Sequence, residues 1–127
     1  MKWRQITLAV LLLMGLPGRG ATLFQFDVWM RQIDRYSSDL QHALLEQDSQ
    51  RARLRAESLQ TLYAAMAAYL DETGKPGAAK LSRDDVARSQ YVLTALDESN
   101  WTRASELAVG IRQACMPCHD QYRPINE

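Results

Sequence analysis

The 127-residue chain holds only two cysteines and two histidines, and carries no formal net charge. Each scarcity excludes something. The cysteines, Cys115 and Cys118, sit with His119 in one short stretch, and the other histidine, His42, lies far upstream. A zinc site needs four ligands and this stretch supplies three. The longest apolar run, Ile6 to Leu16, is interrupted only by Thr7 and Gly15, and falls short of the roughly 20 residues that span a bilayer. No strand-like alternation, internal repeat or low-complexity tract is present, so an all-α chain is expected. The balance of 15 basic and 15 acidic residues gives no electrostatic footprint for nucleic acid.

The run Ile6–Leu16 follows a basic start, Met1-Lys2-Trp3-Arg4, and precedes Pro17-Gly18-Arg19-Gly20. That order predicts a secretory signal peptide over 1–20, cleaved before Ala21, and a single mature domain over 21–127. Cleavage removes Lys2, Arg4 and Arg19, so 15 basic and 15 acidic residues become 12 and 15, a net of −3. A mildly acidic surface excludes nucleic acid and anionic membrane as partners. No membrane span remains after cleavage.

Where chemistry concentrates is Cys115-Met116-Pro117-Cys118-His119. Cys-x-x-Cys-His is the attachment signature of c-type haem. On a helix, two thiols three residues apart share a face, and each can form a thioether to one vinyl group of the same porphyrin. His119, four residues after Cys115, shares that face and can set an imidazole nitrogen on the iron. A redox dithiol would need a strand before the motif and a thioredoxin-like βαβ setting. The motif instead follows a long helical stretch close to the end of the sequence. Export agrees with haem, which is attached outside the cytoplasm in c-type proteins, and places the mature chain in the periplasm.

Four amphipathic segments precede or contain the motif. Phe26, Met30, Ile33, Ser37, Leu40 and Leu44 form one stripe of a helix over 22–46. Asp48 or Ser49 caps a second, with Leu59, Leu62, Tyr63, Met66, Tyr69 and Leu70 inward and Arg51, Arg53, Arg55 and Glu57 exposed. Thr73–Gly77 is a break. Ser82-Arg83-Asp84-Asp85 reads as a capping box opening a third helix to about Leu96, with Val86, Gln90 and Leu93 inward. Ser99 or Asn100 caps a fourth from Trp101, whose stripe of Ala104, Leu107, Ala108, Ile111 and Ala114 continues through Cys115 and Cys118. Pro117 predicts a kink at Met116. The expected architecture is an antiparallel up-down-up-down four-helix bundle with haem attached near the C-terminus.

This pattern, with Cys-His-Asp-Gln-Tyr-Arg closing the last of four helices and Met30 on the first, resembles the cytochrome c′ family across the whole mature chain. The resemblance implies one covalent haem c, with Cys115 and Cys118 as thioether anchors and His119 as the axial ligand of its iron. It implies that Arg123 lies beside the proximal imidazole and a propionate, and that Met30 faces the other side of the iron. Phe26, one turn before Met30, would wall that distal pocket. A low-spin branch of this class ligates the iron through a first-helix methionine and carries electrons to a redox partner protein, and a thioether ligand raises the potential. The five-coordinate branch leaves its distal pocket open to small gases such as nitric oxide or carbon monoxide, which would leave Met30 a pocket wall. The family also implies a homodimer contact. No distal acid–base pair such as His with Arg lies near Met30, so an electron carrier rather than an enzyme is expected.

Overall fold

A computed structural model describes residues 21–122, with side chains as far as Cys118; the expected signal peptide lies outside the described residues. Five helices follow in order: α1 Leu23–Leu45, α2 Ser49–Glu72, α3 Pro76–Asp97, α4 Trp101–Gln113 and α5 Cys115–Tyr122. The described residues contain no strand. The four longer helices pack as a closed ring, α1 on α2, α2 on α3, α3 on α4 and α4 back on α1.

All three joints between these helices use one device. At each, the residue beyond the C-cap takes a left-handed backbone: Gln47 (φ 52°), Gly74 (φ 74°) and Ser99 (φ 54°). Two amides then reach back to the helix just completed. Gln47 N–H donates to the Leu44 carbonyl at 3.1 Å and Asp48 N–H to that of Ala43 at 2.9 Å. Gly74 and Lys75 repeat the pattern onto Asp71 and Leu70, and Ser99 and Asn100 onto Leu96 and Ala95. This is the Schellman closure, which satisfies the orphan carbonyls of a helix end. The second of those residues is in each case also the N-cap of the next helix. Asp48 and Asn100 cap with side-chain oxygens that accept from the Arg51 and Arg103 amides. Lys75 has no side-chain cap, and Pro76 follows it at the first helical position, where its missing N–H costs nothing. The sequence has no repeat, yet its turns repeat.

The α1 stripe is as expected: Ile33, Ser37, Leu40 and Leu44 are buried, with Phe26 and Met30 partly so. Thr22 and Gln25 close a capping box at its start. On α2, Leu59, Tyr63, Met66 and Leu70 are buried together with Ala52, Ala56 and Ala67, which let neighbouring backbones approach closely. Its early arginines are tied down rather than free. Arg51 and Arg55 both donate to Asp39 of α1, Arg51 also pairs with Glu46, and Arg53 meets Asp97 of α3. The Arg55 guanidinium also lies 4.5 Å from the centre of the Tyr36 ring.

Two expectations need correction. The third helix starts at Pro76, not Ser82, and Ser82 and Asp85 are buried mid-helix instead of capping it. Its inner face runs Ala78, Ser82, Asp85, Ser89, Val92, Leu96, and Gln90 points out to pair with Gln60 at 3.0 Å. The last helix breaks at Ala114 rather than bending at Met116. With that break, Pro117 falls in the first turn of α5, where an amide has no intrahelical partner to lose.

Candidate functional site

The break at Ala114 starts a new helix at Cys115 and re-aims both thiols. Cys115 and Cys118 are each about half-buried, three residues apart on α5. They meet Met30 and Ile33 of α1, Tyr63 and Met66 of α2, and Leu81, Ser82 and Asp85 of α3 around one cavity. Three helices of the ring, the break at Ala114 and α5 thus converge on the residues that carry the chemistry. The cavity is partly open and its volume is about 30 Å³, enough for one or two waters.

Besides Ser82, two titratable groups other than the thiols stand in this largely apolar wall. Asp85 is only 4% exposed, and its carboxylate accepts from the Arg88 guanidinium at 2.6 Å. Burial raises its pKa to about 6 from an ordinary 3.8, with Arg88 pulling the other way. Tyr63 is likewise 4% exposed, and among the described residues its hydroxyl makes no regular hydrogen bond, the Cys115 thiol being the polar group that interacts with it. Burial, with the nearby Asp85 charge adding to it, holds that phenol far above its usual pKa. Burial is also the leading reason why both thiols sit above the ordinary range. Cys115 and Cys118 are therefore protonated at neutral pH, and inert until something displaces the proton.

Of the residues the sequence singled out, Met30, Cys115 and Cys118 are brought to one cavity. Phe26 is not in that wall. It stacks on Tyr69 with ring centroids 5.0 Å apart, and Trp29 meets the same ring edge-on at 6.5 Å. With Leu70, Ala78 and Ala79, the Phe26 and Tyr69 rings form a second apolar cluster, against which Cys118 also packs. His42 is exposed, in a separate open polar cleft with Arg35, Arg55 and Arg112. The His119 side chain and Arg123 lie outside the described residues. Sequence reasoning missed Asp85, whose position inside α3 reads as a cap when the helix is started at Ser82. It treated Met66 as packing; the structure sets it on the cavity wall, 3% exposed.

Among the described residues no three His, Cys, Asp or Glu side chains gather as a metal site, and no helix is long and apolar enough to cross a membrane. Comparison with family models, with curated proteins and with solved structures returned no match.

Proposed function

We propose that the chain is an exported, monohaem c-type cytochrome that carries electrons in the periplasm, built as an up-down-up-down bundle. The observation that carries this reading is the meeting of Cys115, Cys118 and Met30 at one cavity, from opposite ends of the sequence. The donor set fits a haem in kind. Two thiols on one face of α5 suit two vinyl groups, His119 follows on the same short helix, and a thioether stands across the cavity.

The space does not fit as it is. A macrocycle is far larger than about 30 Å³, so seating it would require α5 to move away from α1 and α2. The break at Ala114 makes that movement local, because α5 adjoins only α3 and α4 along its backbone and is not continuous with α4. When bound, haem supplies one-electron iron chemistry. The chain's own part is to anchor through Cys115 and Cys118, ligate through His119 and Met30, and keep water from the distal side with Ile33 and Met66. Arg123 would offset propionate charge, and the redox partner would dock at the exposed haem edge.

The test is protein exported from a host that attaches c-type haem. The expected product is coloured, heavier than the polypeptide by one covalent haem, and low-spin in its visible spectrum. Met30→Ala should turn it high-spin and open it to carbon monoxide. Colourless protein of bare-polypeptide mass refutes the proposal. A high-spin wild type that binds carbon monoxide or nitric oxide replaces the electron carrier with the gas-binding member of the same class.

A further inference from the structure

Residues 21–127 contain five sulfur atoms, those of Met30, Met66, Met116, Cys115 and Cys118. Four of the five line the one cavity described above, and the fifth, Met116, is 62% exposed. We propose that, in the chain without haem, this cavity binds a single copper(I) ion through the Cys115 and Cys118 thiolates and the Met30 and Met66 thioethers.

Donor chemistry selects the ion. Thiolate and thioether sulfur are soft ligands that favour copper(I), whereas carboxylate and water suit magnesium, calcium and manganese. Zinc takes thiolate, imidazole and carboxylate, and among the described residues no three such side chains are grouped to hold it, the Asp85 carboxylate being paired with Arg88. Thioethers therefore decide in favour of copper(I), and two of them are present on separate helices. The size agrees, since about 30 Å³ admits one ion. So does the lining, largely apolar through Ile33, Leu81 and Ala114; the Asp85 carboxylate works the other way, since its charge favours the protonated form of both thiols.

The balance is simple. Both thiols start protonated, one copper(I) enters with its charge, two S–H bonds give way to two S–Cu bonds, and two protons leave. No electron is transferred. The site does not depend on the haem reading, but the two compete, because a cysteine sulfur held as thiolate by copper is not available to form a thioether with a vinyl group.

The experiment uses the full chain made without haem attachment, kept reduced and free of oxygen, and titrated with copper(I) against a coloured copper(I) chelator. One equivalent should be withdrawn from the chelator. Met30→Leu and Met66→Leu should each weaken binding about tenfold or more, Cys115→Ser should abolish it, and Met116→Leu should leave it unchanged. Circular dichroism establishes that each variant keeps its helices. X-ray absorption on the wild type gives a reading independent of any variant, and more than two sulfur neighbours per copper are expected. Two sulfurs only, or unchanged affinity in the Met30→Leu, Met66→Leu double variant, would reduce the site to an ordinary dithiol and overturn the proposal. Uptake of more than one equivalent overturns it too. The haem reading fails separately: protein that takes up copper but never gains haem sinks that reading alone.

Discussion

The Asp85 carboxylate accepts a 2.6 Å hydrogen bond from Arg88, one turn along α3, yet the acid is buried and the base reaches towards solvent. The pairing is too lopsided to hold the acid at its ordinary pKa, and Asp85 titrates near 6 instead of 3.8. Between those values the folded chain binds more protons than the unfolded one. Stability conferred by the neutral acid is therefore lost as pH rises from about 4 to 6, and the loss is complete above that. Asp85→Asn should abolish that slope and leave the haem-free chain more stable at pH 8 by about 1–3 kcal/mol. Urea midpoints at pH 4, 6 and 8 measure it, and parallel curves for the two proteins would contradict it.

Asp39 behaves in the opposite sense. Hydrogen bonds from Arg51 and Arg55 pull its carboxyl down to about 2, below the ordinary 3.8. Its stabilisation is full above 3.8 and is lost as pH falls through 2. Asp39→Asn should remove most of the acid sensitivity between pH 4 and 2, read as a flatter thermal midpoint across that range. Together the two aspartates place their joint optimum near pH 4.

The turns offer a cleaner comparison. Gln47 and Ser99 hold left-handed backbones that glycine adopts without cost, and Gly74 already does. Gln47→Gly and Ser99→Gly should each raise stability by up to about 1 kcal/mol, and Gly74→Ala should lower it by a similar amount. At Gly74 an added Cβ would meet nothing within 4 Å, so that cost would be backbone strain alone. A melting temperature that falls in both glycine variants would show that the three turns are not equivalent.

At Gly110 the argument reverses. This residue lies inside α4, and a Cβ there would meet the Arg88 side chain no closer than 3.9 Å, an ordinary contact. Gly110→Ala should stabilise by about 0.5–1 kcal/mol through helix propensity. A destabilised variant would mean that α4 needs its glycine when α5 moves.

Tyr63 separates burial from bonding. Its ring is core, and among the described residues its hydroxyl makes no regular hydrogen bond. Tyr63→Phe should leave the haem-free chain as stable or more so, while Tyr63→Ala should cost about 3–5 kcal/mol. A large loss in Tyr63→Phe, measured by denaturant unfolding, would reveal a partner for that hydroxyl.

Apolar periodicity made α1, α2 and α4 legible, because Leu40, Leu59 and Ile111 recur with their neighbours at helical spacing and are buried as that spacing demands. It failed on α3. The first half of that helix's inner face is small and polar (Ala78, Ala79, Ser82, Asp85, Ser89), so no hydrophobic stripe marks where it begins, and Pro76 reads as a breaker although it can equally open a helix. The same failure hid Asp85 from the site. The two thiols and Met30 were legible from motif and stripe; that Met66 joins them depends on how two helices approach, which no local pattern encodes. Pro117 was read for the helix it would disrupt, whereas the chain restarts at Cys115 so that it disrupts none.

The interruption at Ala114 has a practical bearing on redesign. Because one residue separates the segment bearing both sulfurs from the rest of the bundle, its bearing can be changed without disturbing the ring of long helices. Since position 114 already carries alanine, the strongest helix former, Pro117→Ala should weld the last two rods into one and swing the thiols off their present target. Whatever occupies the chain's sulfur-lined chamber would then lose its grip, while the scaffold would unfold as before.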